Sequence, residues 1–258
     1  MKLRVFLVLL GTSISGFLYG QTPRQTVTQF ADWFSFTSSM KASKRLSLLV
    51  DIQSRFVNGV DPMQNQIRVG ADIKVSDVFS VLPVGYVFTW NYYYGEQPAT
   101  FLNNEHRIFQ QFVFKHKVGK SSFHHRLRTE QRFIQRHTTQ SDGTVVDQGF
   151  VNKQFRIRYR AYWSMPITEQ ANPGAGGIDA KSWYVVVYDE FFMSWGESVT
   201  YHEIDQNRIF VGLGYQFTKD FTIQSGPFYQ ILIKANGAQQ ENNIGIGTWL
   251  TYNLDFTK

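Results

Sequence analysis

From Leu46 onward, apolar and polar residues alternate along the chain in segments of about ten. Leu46, Leu48, Val50, Ile52 and Phe56 share one face, and Ser47, Asp51, Gln53 and Arg55 share the other. Ile67, Val69, Ala71, Ile73 and Val75 repeat the pattern against Gln66, Arg68, Asp72 and Lys74. A period of two puts each set on one side of a β-strand. Eleven segments qualify as strands: 27–37, 46–57, 66–75, 79–94, 105–118, 122–137, 153–164, 182–194, 206–217, 221–233 and 242–256. The tight connections Val118-Gly119-Lys120-Ser121 and Thr218-Lys219-Asp220 alternate with longer polar stretches such as 95–104, 138–152, 196–205 and 234–241. Long alternating strands, with short turns on one side and long loops on the other, are how a membrane-spanning β-barrel reads. Segment 165–181 breaks the rhythm, being long where parity asks for a short turn.

The expected fold is all-β: a closed antiparallel transmembrane β-barrel of ten to twelve strands. Twelve is favoured, because single-chain bacterial barrels usually have an even count. The apolar faces lack the Lys and Glu that guard exposed sheets, so they are expected to meet lipid, with Leu48, Val50, Phe112, Leu127, Ile157, Val211, Leu213 and Leu250 outward. The 23 Phe, 13 Tyr and 6 Trp suit aromatic girdles at the membrane interfaces. No later apolar run approaches the roughly 20 residues of a membrane helix. Membrane insertion must therefore be by strands, and open edges cannot survive in lipid. A soluble sandwich with an aromatic core is the competing architecture.

The first 20 residues read as a secretory signal. Lys2 and Arg4 precede an apolar stretch from Val5 that runs with small residues to Leu18. Cleavage is expected near Gly20, leaving 21–258 as one barrel domain in the outer membrane of a Gram-negative bacterium. Without Lys2 and Arg4 the 26 basic residues become 24 against 20 acidic, a net +4. That charge is too small to argue for nucleic acid, and export argues against it. The chain has no cysteine, which excludes disulfides, a thiol nucleophile and a lipid-modified cysteine.

The densest polar pattern lies on two neighbouring strands. Arg126, Arg128, Glu130, Arg132 and Arg136 share one face, and Gln154, Arg156, Arg158 and Arg160 share a face of the next. Glu105, Arg107, Gln111 and Lys115 precede them, and Glu190 and Arg208 follow. With Arg55, Arg68 and Lys74, the inward bases outnumber the inward acids, which are Asp51, Asp72, Glu105, Glu130 and Glu190. Close arginines repel by several kcal/mol at an effective dielectric near 20, so they need carboxylates, water or an anionic ligand. Two readings stand. The lumen is either a ladder of Arg–Glu pairs filling a narrow barrel, or a basic wall that binds or passes small anionic solutes. The filling reading leads, because a narrow barrel must occupy its interior. Gly212, Gly214, Gly226, Gly245 and Gly247 form a second inward row, which would leave a strip of bare backbone or give room to neighbours such as Phe210 and Trp249.

The six histidines show no metal spacing, and no nucleophile–base–acid set emerges around Ser121, Ser122 and His124, so no catalytic residue, metal or cofactor is expected. A lipid-modifying outer-membrane enzyme is the remoter alternative. The expected partners are outer-membrane lipid, the barrel-assembly machinery and small anionic solutes.

The order of several motifs resembles the domain-of-unknown-function family 2490, a family of exported β-barrel proteins. The motifs are Glu105-His106-Arg107 with Gln110-Gln111; Arg126-Leu127-Arg128-Thr129-Glu130-Gln131-Arg132; Phe155-Arg156-Ile157-Arg158-Tyr159; Tyr188-Asp189-Glu190-Phe191; and Asp205-Gln206-Asn207-Arg208 leading into Gly212-Leu213-Gly214-Tyr215. The resemblance runs from about Trp33 to the end. It implies an outer-membrane barrel whose Glu and Arg positions form one interior network, and it supplies no reaction or substrate.

Overall fold

The computed structural model describes residues 24–94, 101–170, 178–201 and 204–257. The expected signal segment 1–20 and its cleavage near Gly20 lie outside these residues, as do His202 and parts of segments 95–104 and 165–181. Among the described residues fourteen strands are formed: Gln25–Lys41 (β1), Leu46–Val57 (β2), Asp61–Lys74 (β3), Phe79–Asn91 (β4), Asn103–Val118 (β5), Ser121–Ile134 (β6), His137–Thr139 (β7), Val145–Asp147 (β8), Asn152–Pro166 (β9), Ser182–Gly196 (β10), Ile204–Gln216 (β11), Phe221–Ile233 (β12), Gln239–Tyr252 (β13) and Leu254–Asp255 (β14). Eleven of these are long, and each pairs antiparallel with the next to make the wall; β7 and β8 form a hairpin outside it, within the β6–β9 loop. There the Thr144 amide donates to Asp142 and the Gly149 amide to Asp147, and each bond holds its carboxyl below the usual aspartate range.

An odd number of consecutive antiparallel strands leaves the first and last running the same way. The barrel accordingly closes by a parallel pairing of β1 with β13, from Gln25 beside Gln239 to Thr37 beside Thr251. The two-residue β14 extends the seam, setting Leu254 beside Met40. It is the twelfth strand of the sheet, in place of another full-length one. Gly245 permits the closure, because a Cβ there would collide with the carbonyl oxygen of Ala31. The parallel seam also puts the start of β1 and the residues after β14 at opposite rims. In a chain without native cysteine, Thr26→Cys and Thr257→Cys should therefore differ in intact cells: an impermeant maleimide should label one and spare the other. Equal labelling would contradict the parallel seam.

The short connections 42–45, 75–78, 119–120 and 217–220 share one rim with the long segment 167–181. The opposite rim carries 92–102, 135–151, 197–203 and 234–238, with one tight exception at Asn58-Gly59. In that three-residue connection, 58–60, Asn58 and Gly59 both have positive φ (53° and 86°), the left-handed region that glycine and asparagine enter most readily.

The wall is apolar outside and polar inside. Leu48, Ile52, Ile67, Val69, Ile108, Phe112, Leu127, Val211, Leu213, Ile244 and Ile246 are exposed, while Glu105, Glu130, Arg128, Gln66 and Asn243 are buried. A soluble barrel has the reverse arrangement. Around the short-turn rim, Trp183, Tyr215, Phe217, Phe221 and Tyr252 follow one another with ring centroids 4.7–6.2 Å apart, forming an aromatic girdle. In β4 the faces shift by one residue. Pro83 and Val84 both point outward between the buried Leu82 and Gly85, and the register with both neighbouring strands slips there. Pro83 cannot donate to the ladder, and a bulge is one of the few places in a sheet that accepts it.

Candidate functional site: an arginine-lined lumen

Alternation on β5, β6 and β9 directs every second side chain into the barrel, and the register then decides which charges meet. Across β6 and β9, Arg126 lies opposite Arg160, Arg128 opposite Arg158, and Glu130 opposite Arg156. Across β10, Glu190 faces Arg160 on one side and Arg208 on the other. All eleven candidate residues lie inside: Glu105, Arg107, Arg128, Glu130, Arg156, Arg158, Glu190 and Arg208 are buried, and Arg126, Arg132 and Arg160 are partly so.

Three carboxylates organise the arginines into tiers. Glu105 takes a forked pair of bonds from Arg107 (2.6 and 2.8 Å) and another from Arg132 (2.5 and 3.1 Å). Glu130, wholly buried, accepts from Arg156 and, at 2.6 Å, from Arg158. Glu190 accepts from Arg126 (2.5 Å) and Arg158 (2.8 Å), with Arg208 at 3.4 Å. Arg158 thus bridges two carboxylates. Arg128 leans on Gln111 at 2.5 Å and on the ring of Phe109, and Arg208 and Arg55 lie against Trp33 at 4.6 and 4.3 Å. Asp51 holds Arg68 at 3.0 Å.

Besides a cavity of about 210 Å³ beside Arg132 and Arg156, these tiers leave two chambers among the described residues. The larger, about 570 Å³, opens toward the short-turn rim, and the smaller, about 390 Å³, lies toward the long-loop rim. Arg55, Arg158 and Arg208 line both, so they mark the waist. Among the described residues, the larger chamber is lined by Arg55, Arg68, Lys115, Arg126, Arg128, Arg158, Arg160 and Arg208 against Asp51 and Glu190, eight cations to two carboxylates. Among the described residues, Nε of Arg68, Arg126, Arg160 and Arg208 and one Nη of Arg128 are buried with no hydrogen-bond partner in the protein.

Two expected inward bases are elsewhere. Lys74 ends β3 and pairs with Asp77 in the following turn, largely exposed. Arg136 lies past the last residue of β6, exposed, with its backbone bonded to Gln148 and Gly149 of the outer loop. Conversely, Glu241 is buried in the lumen beside Lys234 and accepts from the Tyr94 hydroxyl at 3.0 Å across the barrel. Continuing the alternation of Gly247, Gly245 and Asn243 by one step would have found Glu241. Tyr94 follows β4, so the start of that long connection turns into the lumen. The glycine row is not bare: Phe210 lies over Gly212, Tyr184 over Gly214 and Trp249 over Gly247, each closer than a Cβ would allow. Ser122 and His124 both line the larger chamber, and the His124 ring stacks on Tyr162 at 5.2 Å.

The family described as protein of unknown function (DUF2490) matches residues 30–242. None of the curated proteins matches the chain. Among solved structures, a NanC porin is similar at 14% identity with a TM-score of 0.46, the similarity covering 88% of this chain and 99% of the porin. The siderophore receptor PirA from Pseudomonas aeruginosa is similar at 10% identity with a TM-score of 0.31, over 75% of this chain and 33% of the receptor.

Proposed function

The chain belongs to the DUF2490 family, whose description assigns no activity, and from that premise we propose that it is an outer-membrane barrel of a Gram-negative bacterium with a narrow, anion-preferring lumen. The observation that carries this reading is the lining of the larger chamber, eight cations to two carboxylates. A set of fixed positive charges in a confined lumen lowers the barrier for anions and raises it for cations. Filling alone would be served by matched pairs. Instead, Arg160 and Arg55 lie on aromatic rings rather than carboxylates, and guanidinium nitrogens on five arginines lack a protein acceptor.

The apolar exterior and its aromatic girdle support placement in a bilayer, and strands of 12–17 residues exceed the 9–11 that a tilted span needs. Export through a signal segment near residues 1–20 and folding by the barrel-assembly machinery complete the proposal. The tiers at the waist predict a small conductance. In planar bilayers under a salt gradient, the purified barrel should give a reversal potential of anionic sign, and Arg126→Gln with Arg160→Gln should move it toward zero. Cation selectivity would overturn the anion preference, and the lack of any current would overturn passage and leave a filled scaffold.

A further inference from the structure

The larger chamber has two unlike sides. Strands β3, β5, β6 and β9 supply Arg68, Lys115, Arg126 and Arg160. Strands β9, β10 and β13 supply the rings of Tyr162, Tyr184, Tyr188 and Trp249. The rings form one surface: Phe210 stacks on Tyr188 at 5.1 Å and meets Trp249 edge-on at 4.6 Å, and Tyr184 is packed into the same cluster. The glycines of β11 and β13 make this surface possible, since Tyr184 and Trp249 occupy the space that a Cβ at Gly214 and Gly247 would take. Arg160 stands at the junction, its guanidinium 5.7 Å from the Tyr162 ring and 5.5 Å from that of Tyr188.

Arg160 and Arg126 are direct cross-strand neighbours, and both have a buried Nε without a protein acceptor. Glu190 is the cross-strand neighbour of Arg160 on β10 but is already shared by Arg126, Arg158 and Arg208, and among the described residues no carboxylate lies within 4 Å of the Arg160 guanidinium. Two like charges in this position need a counter-charge between them. A chamber of about 570 Å³ is in the range that encloses a small organic molecule.

We propose that the larger chamber selects amphiphilic organic acids, the carboxylate held between Arg126 and Arg160 and a planar apolar body laid against Tyr162 and Trp249. This rests on the anion reading above and narrows it: an inorganic anion or a short polar acid would satisfy the arginines and leave the aromatic surface unused. The recognition is a charge-assisted fork on one side and removal of apolar surface from water on the other.

The test is equilibrium titration of the purified, folded barrel with benzoate, acetate and neutral benzyl alcohol, read by calorimetry. Benzoate should bind at least tenfold tighter than either of the others. Arg160→Gln should weaken benzoate about tenfold, and because Glu190 opposite keeps Arg126, Arg158 and Arg208 the variant should fold. Trp249→Leu should weaken benzoate while leaving acetate unchanged. Equal affinity for benzoate and acetate would overturn the amphiphile proposal and leave the anion reading standing. Binding of benzyl alcohol as tightly as benzoate would remove the arginines from recognition and overturn both. Binding of acetate that Arg160→Gln leaves unchanged would also remove the Arg126–Arg160 site.

Discussion

Glu130→Ala should be among the most destabilising single changes in the barrel, lowering stability by about 3–5 kcal/mol, because it breaks a buried ion pair from one side. The Glu130 carboxylate is fully buried at the centre of the β5–β6–β9 wall and accepts from both Arg156 and Arg158. Removing it strands the Arg156 guanidinium, whose carboxylate partner is Glu130, while Arg158 keeps Glu190. Arg128, whose Nη lies 3.9 Å from Glu130, loses its nearest negative charge as well. Glu130→Gln keeps the shape and one acceptor but not the charge, and should fall between the two. The informative contrast is Arg160→Gln, also inside the lumen. It removes a cation with no carboxylate within 4 Å and relieves repulsion with Arg126 opposite, while Glu190 keeps three other guanidiniums, so it should cost far less than Glu130→Ala. Melting by far-UV circular dichroism and heat-modified gel mobility would read all three. If Glu130→Ala melts with the wild type, the tiers fill space without holding the barrel together.

The contrast between those variants was only partly legible in the sequence. The period-two pattern located each long strand and put the arginines of β6 and β9 on one face, because side-chain direction is local and alternation records it. Pairing is not local. That Arg126 meets Arg160 while Glu130 meets Arg156 depends on the β6–β9 register across a 17-residue connection, which carries its own hairpin. Closure is less local still. An even count follows from assuming antiparallel pairing throughout, and alternation in β1 and β13 reads the same whether the two run parallel or antiparallel. The signal that bears on the seam is Gly245, whose lack of a side chain lets the Ala31 carbonyl approach, but a glycine in a strand equally marks a bulge or a tight bend. Arg136 and Lys74 were expected inward because alternation was carried past or up to a strand end, where the side chain is free to turn into a loop. Glu241 was missed for the opposite reason, lying one residue outside the strand drawn from 242. Tyr94 closes the expected strand 79–94 but lies past the end of β4 at Asn91, where a residue that crosses the lumen obeys no period.

Val211→Arg should impair assembly of the barrel, and Gln224→Arg should not. Val211 is 47% exposed near the middle of β11, flanked on its own strand by the exposed Ile209 and Leu213 and set beside Val187 of β10. If this belt meets hydrocarbon, an arginine at mid-depth costs about 2–4 kcal/mol, falling toward zero near the interfaces. Leu213, closer to the short-turn rim, should therefore tolerate arginine better than Val211. Gln224 lies on the neighbouring strand β12 and faces inward, lining the mouth of the larger chamber where a charged side chain keeps its water. The same substitution thus probes both sides of one wall. A soluble barrel would accept arginine at Val211, since an exposed site on a hydrated surface makes no demand on charge. The measurement is the fraction of protein recovered as the compact, heat-modifiable species after refolding into lipid vesicles. The expected order is wild type and Gln224→Arg together, then Leu213→Arg, then Val211→Arg. Equal recovery of all four would remove the physical basis for placing this face in a membrane, and with it the argument that closure of the sheet by β1 and β13 is imposed by lipid rather than by packing alone.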